Sequence, residues 1–265
     1  MEGCDFSEPD AAPARIQIRG LTCKHGTTMI QHDLDFTVRK GDVFIIMGPS
    51  GSGKSSILRN MIGLDRPSAG QILYDGKCIW HCDDQEREYI MRRMGVTYQS
   101  GGLWSSMTLA ENIAVPLELY TDLPPNEVRE LAAFKLSLVG LGGFEDYYPS
   151  ELSGGMQKRA GLARAIALDP DIMFFDEPSA GLDPVTSRHL DDLILSLRDN
   201  LAATVVIVTH ELPSIFAIGN NGVFLDTETK TQIALGDPKR LLKDCDHPTV
   251  RAFLSRGKSM DAPHG

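Results

Sequence analysis

Alternation of apolar and polar positions in RIQIR (15–19) and LDFTV (34–38) predicts strands with one covered face. The unbroken apolar run VFIIM (43–47) predicts a strand buried on both faces. Ile57, Leu58, Met61 and Ile62 then fall at helical spacing, PSAG (67–70) marks a turn, and QILYDGKCI (71–79) reads as a hairpin through Asp75 and Gly76. From 86 to 168 the pattern is mostly helical, punctuated by Pro116, Pro124, Pro125 and Pro149, with a strand at 96–98. Beyond Pro170, IMFF (172–175), a helix over 190–200 and TVVIVT (204–209) alternate, and weaker strands follow at 222–226 and 231–235. Strands alternating with helices predict an α/β fold with a parallel sheet.

Acidic residues outnumber basic ones 36 to 26, giving a net charge of −10, so an electrostatic grip on nucleic acid is not expected. No apolar run approaches the ~18–20 residues that cross a bilayer. The opening segment MEGCDFSEPDAAPA (1–14) is acidic and rich in Pro and Ala, unlike a signal or transit peptide, and is expected to be a disordered tail. Cys4, Cys23, Cys78, Cys82 and Cys245 are odd in number and scattered, which points to a reducing cytosol.

The buried strand at 43–47 runs into GPSGSGKS (48–55), and the helix follows at once. A strand-to-helix turn of the form G-x-x-x-x-G-K-[ST] lets successive N–H groups curl around phosphates at a helix N-terminus. The candidate phosphate ligands are Gly48, Pro49, Ser50, Gly51, Ser52, Gly53, Lys54, Ser55 and Ser56. Lys54 would reach the β- and γ-phosphates, and Ser55 would offer its hydroxyl to Mg²⁺.

IMFFDE places Asp176 and Glu177 at the carboxyl end of a buried strand, where ligands of open α/β sheets gather. Asp176 would hold Mg²⁺, and Glu177 would orient or deprotonate the attacking water. His210 ends another buried strand and could bond the γ-phosphate; Gln99 follows the strand at 96–98. Ser153, Gly154 and Gly155 open an amphipathic helix, a second anion-binding N-terminus in the same chain. A two-fold dimer reconciles the two, with the Ser153 helix of one copy capping the phosphate cradled by the other.

With these stations in order, residues 15–245 resemble the ATP-binding cassette (ABC) ATPases: the Walker A loop GPSGSGKS, the Q-loop Gln99, the signature LSGGM, Walker B IMFFDE, SAGLDP around Asp183, and the switch His210. The resemblance implies a P-loop NTPase core with a mixed sheet, an antiparallel β subdomain and an α-helical signature subdomain at about 100–168, followed by a partly disordered extension over 246–265. It implies ATP and Mg²⁺ as ligands, with Ser55, Gln99 and Asp176 around the metal, and hydrolysis in an ATP-bound homodimer. In the family Gln99 also couples to the membrane subunit, and Asp183 connects the two sites across the dimer. The chain departs from the pattern at Met156, where most members have glutamine, and at His25, where an aromatic residue usually stacks on adenine.

One P-loop and no long heptad insert separate the chain from the soluble ABC proteins of translation and DNA repair, and Glu177 and His210 separate it from a binding-only module. YQSGGLWSSMTLAENIAVPL and ELSGGMQKRAGLARAIALDP resemble the ATPase subunits of Mla-type phospholipid transporters. That resemblance implies a peripheral subunit on the cytoplasmic face of the inner membrane, an integral permease and an MCE-type lipid-binding protein, with a small accessory subunit in some members. An importer of small polar solutes such as amino acids, or a soluble non-transport ABC ATPase, is the alternative. Trp104, on a Gly-rich loop beyond Gln99, is the expected permease anchor, whereas Ile113 and Leu117 are expected in the lobe's own core.

Overall fold

The computed structural model describes residues 3–6 and 12–256. In chain order the elements are β1 (Cys4–Asp5), β2 (Ala14–His25), β3 (Thr28–Arg39), β4 (Val43–Met47), α1 (Lys54–Met61), β5 (Ala69–Tyr74), β6 (Lys77–Cys78), α2 (Asp84–Arg92) and β7 (Met94–Thr97). There follow α3 (Leu109–Tyr120), α4 (Pro125–Leu138), a 3-10 turn (Pro149–Glu151), α5 (Gly154–Ala165), β8 (Ile172–Asp176) and α6 (Pro184–Leu201). β9 (Thr204–Val208), α7 (Leu212–Ile218), β10 (Asn221–Leu225), β11 (Gln232–Leu235), α8 (Pro238–Asp244) and α9 (Pro248–Ser255) complete the chain. The described residues form two compact units, one of those up to 87 with those from 204 onward, the other of 88–203.

In the first unit β4 lies between β9 and β10, parallel to both, with Val43 opposite Val205 and Phe44 opposite Asn221. Neighbours on both edges and cover on both faces explain why all five β4 residues are buried and why its sequence shows no alternation. β11 joins β10 antiparallel, which makes the sheet mixed. A second, antiparallel sheet runs in the order β3, β2, β5, β6, and Phe36 from it stacks on Phe44 of β4 at 5.3 Å. β2 and β3 each span 12 residues, well beyond the alternating stretches; register shifts between them break the period-two pattern that would reveal the rest.

The N-terminal end differs from expectation. The acidic segment expected to be disordered contributes β1, which pairs parallel with β11 through Cys4 opposite Ala234 and Asp5 opposite Leu235. Cys4 is bonded to Cys245, so the scattered cysteines are not all free thiols. α9 lies within the expected C-terminal extension and buries Val250, Phe253 and Leu254, with Phe253 edge-on to Phe224 of β10. The remaining residues assigned to disordered ends, 1–2, 7–11 and 257–265, lie outside the described residues.

The second unit holds the parallel pair β7 and β8, with Met94 opposite Ile172, and the helices α3, α4 and α5 packed on one another. α3 begins with a capping box, Thr108 accepting from the Glu111 N–H and Glu111 from the Thr108 N–H. It continues through Pro116, expected to interrupt it, because Leu109, Ala110, Asn112, Ile113 and Leu117 are buried along the helix. That burial outweighs the ~3 kcal/mol a proline costs inside a helix. Lys135 is fully buried and neutralised by Asp169 at 2.5 Å.

Candidate nucleotide site

The loop between β4 and α1 has the backbone that an anion cradle needs. Gly48, Gly51 and Gly53 all take positive φ, and no side chain caps α1, whose N-terminus is the kind of place where anions bind. At two of these positions glycine is obligatory. A Cβ on Gly48 would sit 2.4 Å from the Leu225 carbonyl oxygen, and one on Gly53 would sit 2.4 Å from Ile30 Cγ2. Lys54 is only 6% exposed and donates from Nζ to the carbonyls of Gly48 and Pro49, both at 3.0 Å. Its ammonium is thereby folded against the loop it belongs to, where its charge faces the same N–H-rich turn. Ser55 is exposed beside it, Ser52 is buried, and Pro49, Ser50 and Ser56 are partly or fully open. His210, just past β9 in the same unit, is exposed, and His25 is exposed at the tip of the β2–β3 hairpin.

The second unit carries the other sequence-predicted residues. Asp176 closes β8, and Glu177 follows with φ +49, a conformation that non-glycine residues seldom adopt and that functional sites retain. Gln99 is exposed two residues beyond β7. Ser153 is the N-cap of α5, its Oγ accepting from the Met156 N–H at 3.3 Å, while Gly154 is exposed and Gly155 half-exposed. Gln157 steadies the approach to this helix by donating to the carbonyls of Pro149 and Leu152. Asp183 caps α6 through the N–H groups of Val185 and Thr186, and the Thr186 hydroxyl, followed by its N–H, holds the carboxyl below the usual range.

Beside Gln99 the same unit has a groove of about 460 Å³ lined by Met91, Met94, Trp104, Leu119 and Tyr120, with Arg92 and Arg164 among the apolar side chains. Trp104 is 49% exposed, while Ile113 and Leu117 are buried, as the sequence pattern predicts for each. Arg164 lies over the Trp104 ring at 6.0 Å and donates to the Gly102 carbonyl at 2.6 Å. Burial pushes its pKa down.

Two features of the site were not foreseen from the sequence. Gln31, fully buried on β3, bonds the phosphate loop from behind, and Asn112, fully buried on α3, holds the Trp104 loop. The sole signal for either is a polar side chain on an otherwise apolar face.

A buried strand, a glycine cradle and a helix with no side-chain cap, in immediate succession, define a P-loop nucleotide-binding unit. The sequence model of the ABC transporter family matches residues 31–180, and the chain belongs to that family. It is 42% identical over 240 residues to the probable ribonucleotide transport ATP-binding protein mkl of Mycobacterium tuberculosis, covering 91% of this chain and 66% of that protein. It is 40% identical over 248 residues to the intermembrane phospholipid transport system ATP-binding protein MlaF of Haemophilus influenzae, covering 94% of this chain and 92% of that protein. Among solved structures it resembles a dimeric ATP-binding cassette in a post-hydrolysis state bound to ADP and Pi, with a TM-score of 0.75 and 29% identity over 84% of this chain and 98% of that one.

Proposed function

We propose that the chain is the ATP-hydrolysing subunit of a transporter that moves phospholipid between membranes through a separate permease. The observation that carries this reading is the near end-to-end correspondence with an intermembrane phospholipid transport subunit, 94% of one chain against 92% of the other. The mkl name favours a second cargo, ribonucleotides, but the chain spans only 66% of that protein's length. No helix among the described residues is long and apolar enough to cross a membrane, so in this reading the path through the bilayer belongs to another chain.

The residue roles follow from chemistry. The glycine-lined turn at 48–56, the N-terminus of α1 and Lys54 fit the triphosphate of ATP as substrate; a loop in which Gly48 and Gly53 leave no room for a Cβ is shaped by backbone contact. The oxygens of Ser55, Gln99 and Asp176 are hard donors suited to Mg²⁺, which supplies charge neutralisation at the phosphates. Glu177 takes the proton of the attacking water, and His210 donates to phosphate oxygen. Ser153, Gly154 and Gly155 act on the nucleotide of a second copy, a role supported by the dimeric, ADP- and Pi-bound relative and by the exposure of this helix start. Asp183, which caps α6, lies in the loop that would face that copy.

The apolar groove with Trp104 is the permease contact in this reading, on the cytoplasmic face of the inner membrane, with an MCE-type lipid-binding protein beyond the permease and room for an accessory subunit. Aromatic and arginine side chains together are what interfaces use as anchors. Reconstitution of the chain with its permease in nanodiscs tests cargo directly. Phospholipid should raise ATP turnover severalfold and be extracted by a lipid-binding partner. Stimulation by ribonucleotides or amino acids, with none by phospholipid, would replace this cargo by another.

A further inference from the structure

We propose that Gln31 is a positioning residue for nucleotide binding, a strut that fixes the orientation of one peptide plane in the phosphate loop. The proposal rests on the reading of residues 48–55 as that loop. Gln31 is 0% exposed, and its Nε2 donates to the Ser52 carbonyl at 2.9 Å and the Asp226 carbonyl at 2.8 Å. A primary amide has two N–H groups; both are engaged, so the side chain has no freedom to turn.

The consequence follows from peptide geometry. In a trans peptide the C=O and the next N–H point in opposite directions. With the Ser52 carbonyl held towards β3, the Gly53 N–H must face away from β3, the direction an anion-binding turn requires. Nothing local enforces this. Gly53, which carries the N–H of that plane, has φ +82 and no side chain to resist its rotation, and Gly51 before Ser52 has φ +81. Ile30 closes the same side, its Cγ2 filling the space where a Cβ on Gly53 would lie.

The far end of the strut is itself rigid. Asp226 accepts from the N–H groups of Glu228 and Thr229 and from the Thr229 hydroxyl. β3 is laced to this turn on either side of Gln31, by His32 N–H to the Lys230 carbonyl at 2.9 Å and by Lys230 Nζ to the Met29 carbonyl at 3.0 Å. Gln31 thus gauges the loop against a fixed turn 195 residues away without touching nucleotide.

The test is titration calorimetry on the full chain with MgATP and with tripolyphosphate, which lacks the base. Gln31→Met should weaken both by the same factor, about tenfold, the worth of one hydrogen bond. His32→Ala, which removes the ring's Nε2 contact with the Thr229 carbonyl at 3.1 Å and leaves the phosphate loop untouched, should leave both unchanged. Wild-type affinity in Gln31→Met while Lys54→Ala binds weakly overturns the strut, as does an equal loss in His32→Ala. Wild-type affinity in Lys54→Ala would instead remove the phosphate-loop reading itself. Should Gln31→Met fail to fold, the wild-type protein decides by NMR: the Gln31 side-chain amide protons should exchange with solvent more slowly once MgADP is added, and an unchanged rate overturns the proposal.

Discussion

Asn112 grips the backbone of Trp104 from both sides, its Oδ1 accepting from the Trp104 N–H at 2.8 Å and its Nδ2 donating to the Trp104 carbonyl at 3.1 Å. The same Nδ2 reaches the carbonyls of Met107 and Thr108. A loop that would otherwise be mobile is pinned with its one large ring turned half out to solvent. Trp104→Ala should therefore change the stability of the isolated subunit by less than about 1 kcal/mol, the range of surface truncations, and not by the ~3–5 kcal/mol of a core tryptophan. Permease-stimulated ATP turnover should fall severalfold. Asn112→Ala should lose coupling and also about 1–3 kcal/mol, since it orphans buried backbone groups. Thermal unfolding and turnover of the complex, measured together, check both, and a large melting shift in Trp104→Ala with normal turnover would dismiss the ring as an interface anchor.

Glu177 stands at the end of a buried strand with a strained backbone, and its proposed work is to accept a proton. Glu177→Gln keeps size and hydrogen-bonding capacity but not basicity. ATP affinity should stay within about twofold, and turnover should drop at least 10²-fold, the usual scale of a lost general base. Single-turnover hydrolysis at near wild-type rate would take the role away from it.

Lys54 and Ser153 are proposed to meet only across two copies. Mixed dimers of Lys54→Ala and Ser153→Ala chains should contain one doubly damaged site and one intact site, keeping roughly half the wild-type turnover if the sites act independently. Two equally impaired sites, with turnover as low as in either parent, would mean that each chain uses its own signature helix.

What could be read from the sequence was local. The phosphate loop declares itself because strand, glycine turn and helix are consecutive, and the chemistry of Lys54 needs only that order. Asp176 and Ser153 are legible for the same reason, Asp176 closing one unbroken apolar strand and Ser153 opening one helix. Gln31 was not, because its meaning lies in a carbonyl 195 residues away and it sits in the part of β3 where register shifts break the alternation. Pro116 misled in the opposite direction: a local breaker signal lost to the tertiary burial of Ile113 and Leu117. The acidic, proline-rich opening segment hid β1 because two residues of strand carry no period at all, and their hold comes from Cys245 and from β11.

That hold is testable through thiol chemistry. Besides the Cys4–Cys245 bond, Cys23, Cys78 and Cys82 are free. Cys23 is buried, its thiol donates to Asn60 Oδ1, and burial pushes its pKa up to about 12, so the reactive thiolate is suppressed. Cys78 and Cys82 are half-buried. In the absence of reductant, iodoacetamide followed by mass spectrometry should mark Cys78 and Cys82 while sparing Cys4, Cys23 and Cys245. After dithiothreitol, Cys4 should become reactive. β1 pairs with β11 through only two residues, helped by the Phe6 N–H to the Leu235 carbonyl and by Arg240 over the Phe6 ring at 4.9 Å, which is too little to hold a terminal strand closed. The bond closes almost the whole chain into one loop, so its loss should cost about 2–4 kcal/mol, a melting shift of roughly 5–15 °C for a chain of this size. The raised Cys23 pKa adds a pH signature. A thiol whose folded pKa lies above its unfolded value favours folding fully below the unfolded pKa of about 9, and that contribution is lost as pH rises from there towards 12. Alkylation of Cys4 before any reductant is added would show that Cys4 and Cys245 are not bonded and would remove the hold assigned to them.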